Sequence, residues 1–139
     1  MNNHNGMMLI NALNLHKSSI NSLLRISKKQ NDCIKKQNFS KLFSSRDDKE
    51  GLLHRLKKWG RDIKYYYENW SELQEHLTEE ERIRILTLVD SISKVIEDVL
   101  IIENENRIFL EKRKTELTHE LGTIDFFQEC LISVYTNRN

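Results

Sequence analysis

A chain of 139 residues without a single proline is already tightly constrained in what it can fold into. Average usage of about 5% would supply roughly seven prolines. Proline breaks helix interiors and populates turns, so its absence points to few, long helices, and a content of only four glycines agrees. Hydrophobic residues make up 38% of the chain and charged residues 31%, a balance that suits helices burying a narrow stripe. The expected fold class is all-α, an elongated antiparallel helical bundle or coiled-coil hairpin of about three long helices. One domain over residues 1–139 is the natural reading of this length.

Hydrophobic spacing places those helices. Leu9, Leu13, His16, Ile20, Leu23, Ser27 and Ile34 follow three-four steps, predicting a first helix over about residues 7–36. Asn38 is a suitable N-cap for a second, over about 38–76, whose stripe runs from Phe39 and Leu42 to Trp70. Gly51 and Gly60 fall inside that helix, and bending or breakage is expected there. Thr78-Glu79-Glu80-Glu81 has the form of a capping box, and it opens a third helix over about 79–121. Its seam is read as Ile85, Val89, Ile92, Ile96, Val99, Glu103, Asn106, Leu110, Arg113 and Leu117. Gly122 is the expected stop. A mobile amphipathic segment over about 123–136 is expected to continue the seam phase through Ile124, Phe127, Leu131 and Val134.

Motifs for chemistry are missing. The five histidines are scattered, and no phosphate-cradling glycine loop or zinc-type Cys/His cluster occurs. An enzyme, a metal and a cofactor are therefore not expected. Cys33 and Cys130 form no close-spaced motif, and with no signal-like start they are expected to be reduced thiols of a cytoplasmic protein. The longest aliphatic run, Val99 to Ile102, falls far short of the roughly 18 residues a membrane span needs.

Charge is divided along the chain. Residues 1–64 carry 14 Lys/Arg and five Asp/Glu, and residues 65–139 carry eight and 16, giving +9 and −8. Packing one half on the other would neutralise both, which is preferred over a nucleic-acid partner. Three local features stand above this background. Trp59, Ile63, Tyr66, Tyr67 and Trp70 form an aromatic stripe suited to core packing or, less favoured, to anchoring a partner. Arg55, Lys57, Lys58, Arg61 and Lys64 form a basic run interrupted by Asp62, expected to be a solvated face. Glu103 to Arg107 interrupt the aliphatic seam, and a buried polar residue at such a position fixes register at a cost in stability.

Two segments carry a family likeness. One is KKQNFSKLFSSRDDKEGLLHRLKKW at residues 35–59, with Leu42, Lys49-Glu50 and Leu52-Leu53. The other is ENENRIFLEKRKTELTHEL at residues 103–121. Following a leading helix, they resemble the FlgN family of flagellar type III export chaperones over about Leu9 to Leu121. Asn106 and Leu110 fit that family's Asn-x-x-Asn-x-x-Leu-Leu stretch, while Glu103 replaces its first Asn and Phe109 a Leu.

The resemblance implies a cytosolic chaperone for hook–filament junction proteins, which it would pass to the export apparatus. Its task would be to cover amphipathic terminal helices of those clients. A third helix of about 43 residues cannot be sheathed by two of about 30 along its whole length. The client groove is therefore expected toward the C-terminus, at Asn106, Leu110, Leu117, Leu121, Ile124, Phe127, Leu131 and Val134. A coiled-coil adaptor or structural protein is the alternative, and a small nucleic-acid-binding protein ranks below it. Whether the seam is satisfied within one chain or by a homodimer stays open.

Overall fold

A computed structural model of the protein describes residues 3–121, with side chains over residues 6–116. Five helices follow one another: α1 (Asn3–Lys35), α2 (Phe39–Ser44), α3 (Arg46–Glu68), α4 (Trp70–Leu73) and α5 (Glu79–Leu121), with a 3-10 turn, Gln74–His76, before α5. No strand occurs among the described residues, so the fold is all-α as the proline-free composition implies. The segment over 123–136 lies outside the described residues.

α1 stops through a Schellman motif. The Asn38 amide donates to the Cys33 carbonyl (2.8 Å), the Gln37 amide to the Ile34 carbonyl (3.1 Å), and Gln37 takes the left-handed φ of 57° that this turn requires. Asn38 then caps α2, its side chain accepting from the Lys41 amide. α5 begins with both bonds of the capping box: Glu81 N–H to Thr78 Oγ1 (3.1 Å) and Thr78 N–H to Glu81 Oε1 (2.9 Å). From there it runs 43 residues, about 65 Å at 1.5 Å per residue.

The second helix is interrupted, though not at its glycines. Ser45 Oγ donates to the Leu42 carbonyl (2.7 Å), and Asn69 Nδ2 donates to the Tyr65 carbonyl (2.7 Å). Such side chains compete with the backbone for the helix's own acceptors, and the helix bends or ends where they win. Backbone bonds still cross both points, Lys49 N–H to Ser45 O and Leu73 N–H to Asn69 O, so the chain changes direction without coming apart. Gly51 and Gly60 sit inside an unbroken α3, and a Cβ at either would meet nothing within 4 Å.

α1 is the spine against which α3 and α5 both pack. Consecutive long helices run antiparallel, as expected of the bundle, which leaves α1 and α5 parallel. Gly6 lies against Glu81 and Asn31 bonds to Asn106, both 75 positions apart (81 − 6 and 106 − 31), so the two helices run side by side without slipping. At Gly6 the approach is so close that a Cβ would stand 2.5 Å from the Glu81 carboxylate. α3 returns in the opposite sense, from Lys49 beside Gln30 and Glu103 to Tyr66, which with Trp70 of α4 stands beside Leu9 and Ile85.

The α1 seam is the expected one with Ile10 and Gln30 added, both fully buried, and Gln30 restores the three-four step between Ser27 and Ile34. The α5 seam differs from expectation. Ile85, Leu88, Ile92, Val95 and Val99 face the core, whereas Val89 and Ile96 are 43% and 38% exposed. Residues 85, 88, 92, 95, 99 and 86, 89, 93, 96, 100 are adjacent stripes of equal spacing, and parallel packing on α1 takes the first. Of the remaining seam positions, Glu103, Asn106 and Leu110 are buried as anticipated, Arg113 is half-buried and pairs with Glu116, and the side chain of Leu117 lies outside those described.

Two apolar clusters result. The larger joins α1, α3, α4 and α5 from Leu9 to Val99, and the smaller joins Ile34, Leu42 and Leu110, with Phe39 and Phe43 against it. Each fully buried aliphatic side chain in them contributes about 1.5–3 kcal/mol. Between the clusters lies a buried polar layer. Lys49 Nζ pairs with Glu103 (2.5 Å) and donates to Gln30 Oε1 (3.2 Å), and Gln30 Nε2 donates to Ser45 Oγ (2.9 Å). Beside them Asn106 donates to the Ser27 carbonyl and accepts from Asn31 (2.8 Å). Lys35–Glu105 (3.0 Å) extends the layer to the surface. Those two pairs join the basic and acidic halves, while the other ion pairs among the described residues link positions three or four apart.

An unbroken α3 with open space at residue 60 makes a direct prediction. Gly60→Ala should raise the stability by about 0.5–1 kcal/mol, the helix-propensity difference between the two residues. Urea denaturation measures it, and a loss of stability would show that α3 does bend at this position.

Candidate helix-docking groove

α3 and α5 both lean on α1 yet make little backbone contact with each other above the polar layer. The gap is a cleft of about 120 Å³ with Leu9 and Leu13 of α1 as its floor. Ile63, Tyr66, Tyr67 and Trp70 form one wall, and Ile85, Leu86 and Val89 form the other. These are apolar and aromatic side chains throughout. Along α5 the wall continues through Ile96 and Leu100, seven and 11 residues beyond Val89 and so on the same helix face. Leu86 and Leu100, at the two ends of this aliphatic stripe, are 56% and 62% exposed, and an exposed apolar stripe of this kind marks an interaction surface. The groove closes at the far end where Lys49 of α3 meets Glu103 of α5.

The aromatic stripe divides across this groove. Ile63, Tyr66 and Trp70 are half-buried and pack on the larger cluster, which is the core role expected of them. Tyr67 is 79% exposed and projects as an edge of the cleft. Tyr65 faces away from it, stacked edge-on to Tyr66 with ring centres 5.5 Å apart.

The positions singled out from sequence fare differently. Asn106 and Leu110 are turned into the interior, where Asn106 bonds to α1 and Leu110 packs on Ile34 and Leu42. They serve the chain's own packing instead of presenting a surface to a partner. Leu117 and Leu121 belong to α5, but their side chains lie outside those described, and Ile124, Phe127, Leu131 and Val134 lie outside the described residues altogether. α5 does outrun α1, whose last turn stands beside Glu105 and Leu110. The exposed stripe of Leu86, Val89, Ile96 and Leu100 is the feature sequence reasoning missed. Its three-four spacing through Ser93 was the available signal, hidden because a neighbouring stripe has the same spacing.

Titration is perturbed at two places. Glu105 is held below the usual carboxylate range, first by the hydrogen bond from Lys35 and then by that from Asn31. Burial in the α1 seam pushes the His16 imidazole below its ordinary value, so the folded chain favours the neutral ring. Among the described residues no group of three or more His, Cys, Asp or Glu could hold a metal ion, and no helix is long and apolar enough to cross a membrane. Comparison with protein-family models, with curated proteins and with solved structures finds no match.

The split of the stripe predicts unequal costs. Trp70→Ala should lower stability by about 2–3 kcal/mol, short of the 3–5 typical of a fully buried aromatic. Tyr67→Ala should stay within about 0.5 kcal/mol, as surface changes do. Denaturation midpoints of the two variants check this, and equal losses would show that Tyr67 is packed as well.

Proposed function

We propose that the chain is a helix-binding export chaperone, cytoplasmic and of the FlgN type, whose α3/α5 groove holds amphipathic terminal helices of hook–filament junction proteins before their delivery to the export apparatus. The observation that carries this reading is the aliphatic stripe of α5 that no described segment covers, beside an aromatic wall, with no charged residue among those described as lining the cleft. Recognition of a helix in a groove needs such a surface, read by apolar anchors at i, i+3, i+4 and i+7. The resemblance at residues 35–59 and 103–121 supplies the class of client. Binding is attributed to the face of Leu86 to Leu100, in place of the Asn106 and Leu110 positions.

A coiled-coil adaptor is the second reading, and the three-four spacing of residues 86, 89, 93, 96 and 100 favours it, because a second α5 could pack there. In an antiparallel pair of two such helices, however, Asp90 would face the partner's Glu97, and like charges oppose that pairing.

The test is a titration with a C-terminal helical peptide of a hook–filament junction protein, using a Trp59→Phe background in which Trp70 is the remaining tryptophan. Binding should alter Trp70 emission, and Val89→Asp with Ile96→Asp should weaken affinity at least about tenfold, 1.4 kcal/mol, without changing the melt appreciably. Normal affinity in that variant would remove the groove from the mechanism. A concentration-dependent dimer that ignores the peptide would favour the adaptor.

A further inference from the structure

A notch of about 240 Å³ opens where α5 outruns α1. Its apolar sides are Ile34 of α1 and Phe39 of α2, against Phe109 and Leu110 of α5. Its charge comes from Lys35, Lys112, Arg113 and Glu116. Glu116 pairs with Arg113 and Lys35 with Glu105, so three cations stand against two acids. Lys112 enters no ion pair among the described residues. Arg113 Nε is buried and has no hydrogen-bond partner among them either. A buried donor without an acceptor marks a surface that something else completes.

Residues 122–139, outside those described, follow directly from α5. Gly122 suits the left-handed position that ends a helix, and Thr123 suits the N-cap of a new one. Side by side they make the two-residue connection of an antiparallel helical hairpin. Ile124, Phe127, Leu131 and Val134 then share one face, with Asp125, Glu129 and Ser133 opposite. A hairpin centred on Gly122 pairs positions whose numbers sum to about 244. Leu110 is matched with Val134, Arg113 with Leu131 and position 117 with Phe127, so the α5 seam and this apolar face coincide. Ten helical steps from Ile124 to Val134 span about 15 Å, which reaches the level of Leu110 and stops well short of Leu100.

Direction matters as much as length. Running back along α5, the segment brings its last turn, residues 132–135, to the level of residues 109–112. The last carbonyls of a helix lack partners, and that end carries the negative pole of the dipole. Lys35, Lys112 and Arg113 gather at this level, and the segment carries no Lys or Arg before Arg138.

We infer that the notch is the docking site of the chain's own C-terminal segment, residues 124–135, folded back on α5 as an antiparallel helix. Its last turn would be capped by Lys112 and Arg113, and Leu131 and Val134 would extend the smaller apolar cluster. Positions 124, 127, 131 and 134 would then serve the chain's own packing, as Asn106 and Leu110 do. The inference does not rest on the client reading, whose groove lies beyond the polar layer between α3 and α5.

Hydrogen exchange of the full chain, followed by mass spectrometry, tests this. A helix of 12 residues is marginal alone in water, so protection there reports docking. Amides of residues 127–134 should exchange at least about tenfold more slowly than in an unfolded chain. Phe109→Asp, at an exposed ring of the notch, should remove most of that protection. Lys112→Glu, an exposed change that leaves folding undisturbed, should lower it about threefold by setting a negative charge at the helix C-terminus. Val89→Asp with Ile96→Asp, in the α3/α5 groove, should leave it unchanged, which separates failure here from failure of the client reading. Exchange of residues 127–134 at the unfolded rate would overturn the proposal. Protection indifferent to both Phe109→Asp and Lys112→Glu would overturn it too, since a straight continuation of α5 behaves that way. Protection lost in the Val89→Asp, Ile96→Asp variant would put the segment in the other groove, and protection lost on dilution would put it on a second copy. Either would overturn the proposal as well.

Discussion

Lys49 and Glu103 meet where both are almost entirely removed from water, and the rest of the bundle is arranged around that meeting. Taking a charge into a protein interior costs several kcal/mol unless a partner and further hydrogen bonds are in place. α3 must therefore arrive with Lys49 opposite Glu103 of α5 and Gln30 of α1, and in no other register. The Asn31–Asn106 bond does the same for α1 and α5, since a polar pair in a helical seam penalises every offset that separates it. Three helices from distant parts of the chain are pinned at one level.

The consequences run in both directions along the molecule. Below the layer, the short α2 folds under α1 and closes the smaller cluster on Ile34 and Leu110. Above it, α3 and α5 follow α1 separately, and the stripe from Leu86 to Leu100 is left beside Tyr67 and Trp70 with no segment of the described chain upon it. A groove that is apolar but held open by a polar layer at its foot differs from a loosely packed core. Its walls are rotamer-limited side chains on long helices, which lowers the ordering cost of receiving another helix.

Much of this was legible in the residues themselves. The absence of proline, the Thr78–Glu81 box and the three-four spacing of α1 all act through local backbone chemistry, and each appears where it was expected. The interruption at Glu103 to Arg107 was legible too, because a polar residue in an aliphatic seam has few other roles. Other features depend on tertiary choice. Val89 and Ile96 stand in a stripe with the same spacing as Leu88 and Val95, and only packing on α1 decides between them. Ser45 and Asn69 bend the chain by bonds their side chains could equally have made to water, whereas Gly51 and Gly60, the stronger breakers by propensity, are tolerated because α3 is held on both sides of them. Lys49 was read as part of a family likeness, and nothing local marks it as the lysine that is buried.

The most direct test of the account is a double-mutant cycle on Lys49→Met and Glu103→Leu, followed by urea denaturation. Each single change strands a buried charge and should lower stability by about 3–5 kcal/mol, whereas the double change should recover most of that loss. Single losses under about 1 kcal/mol that simply add would contradict it, since they are what an exposed ion pair gives and would mean that α3 and α5 are not pinned at this layer.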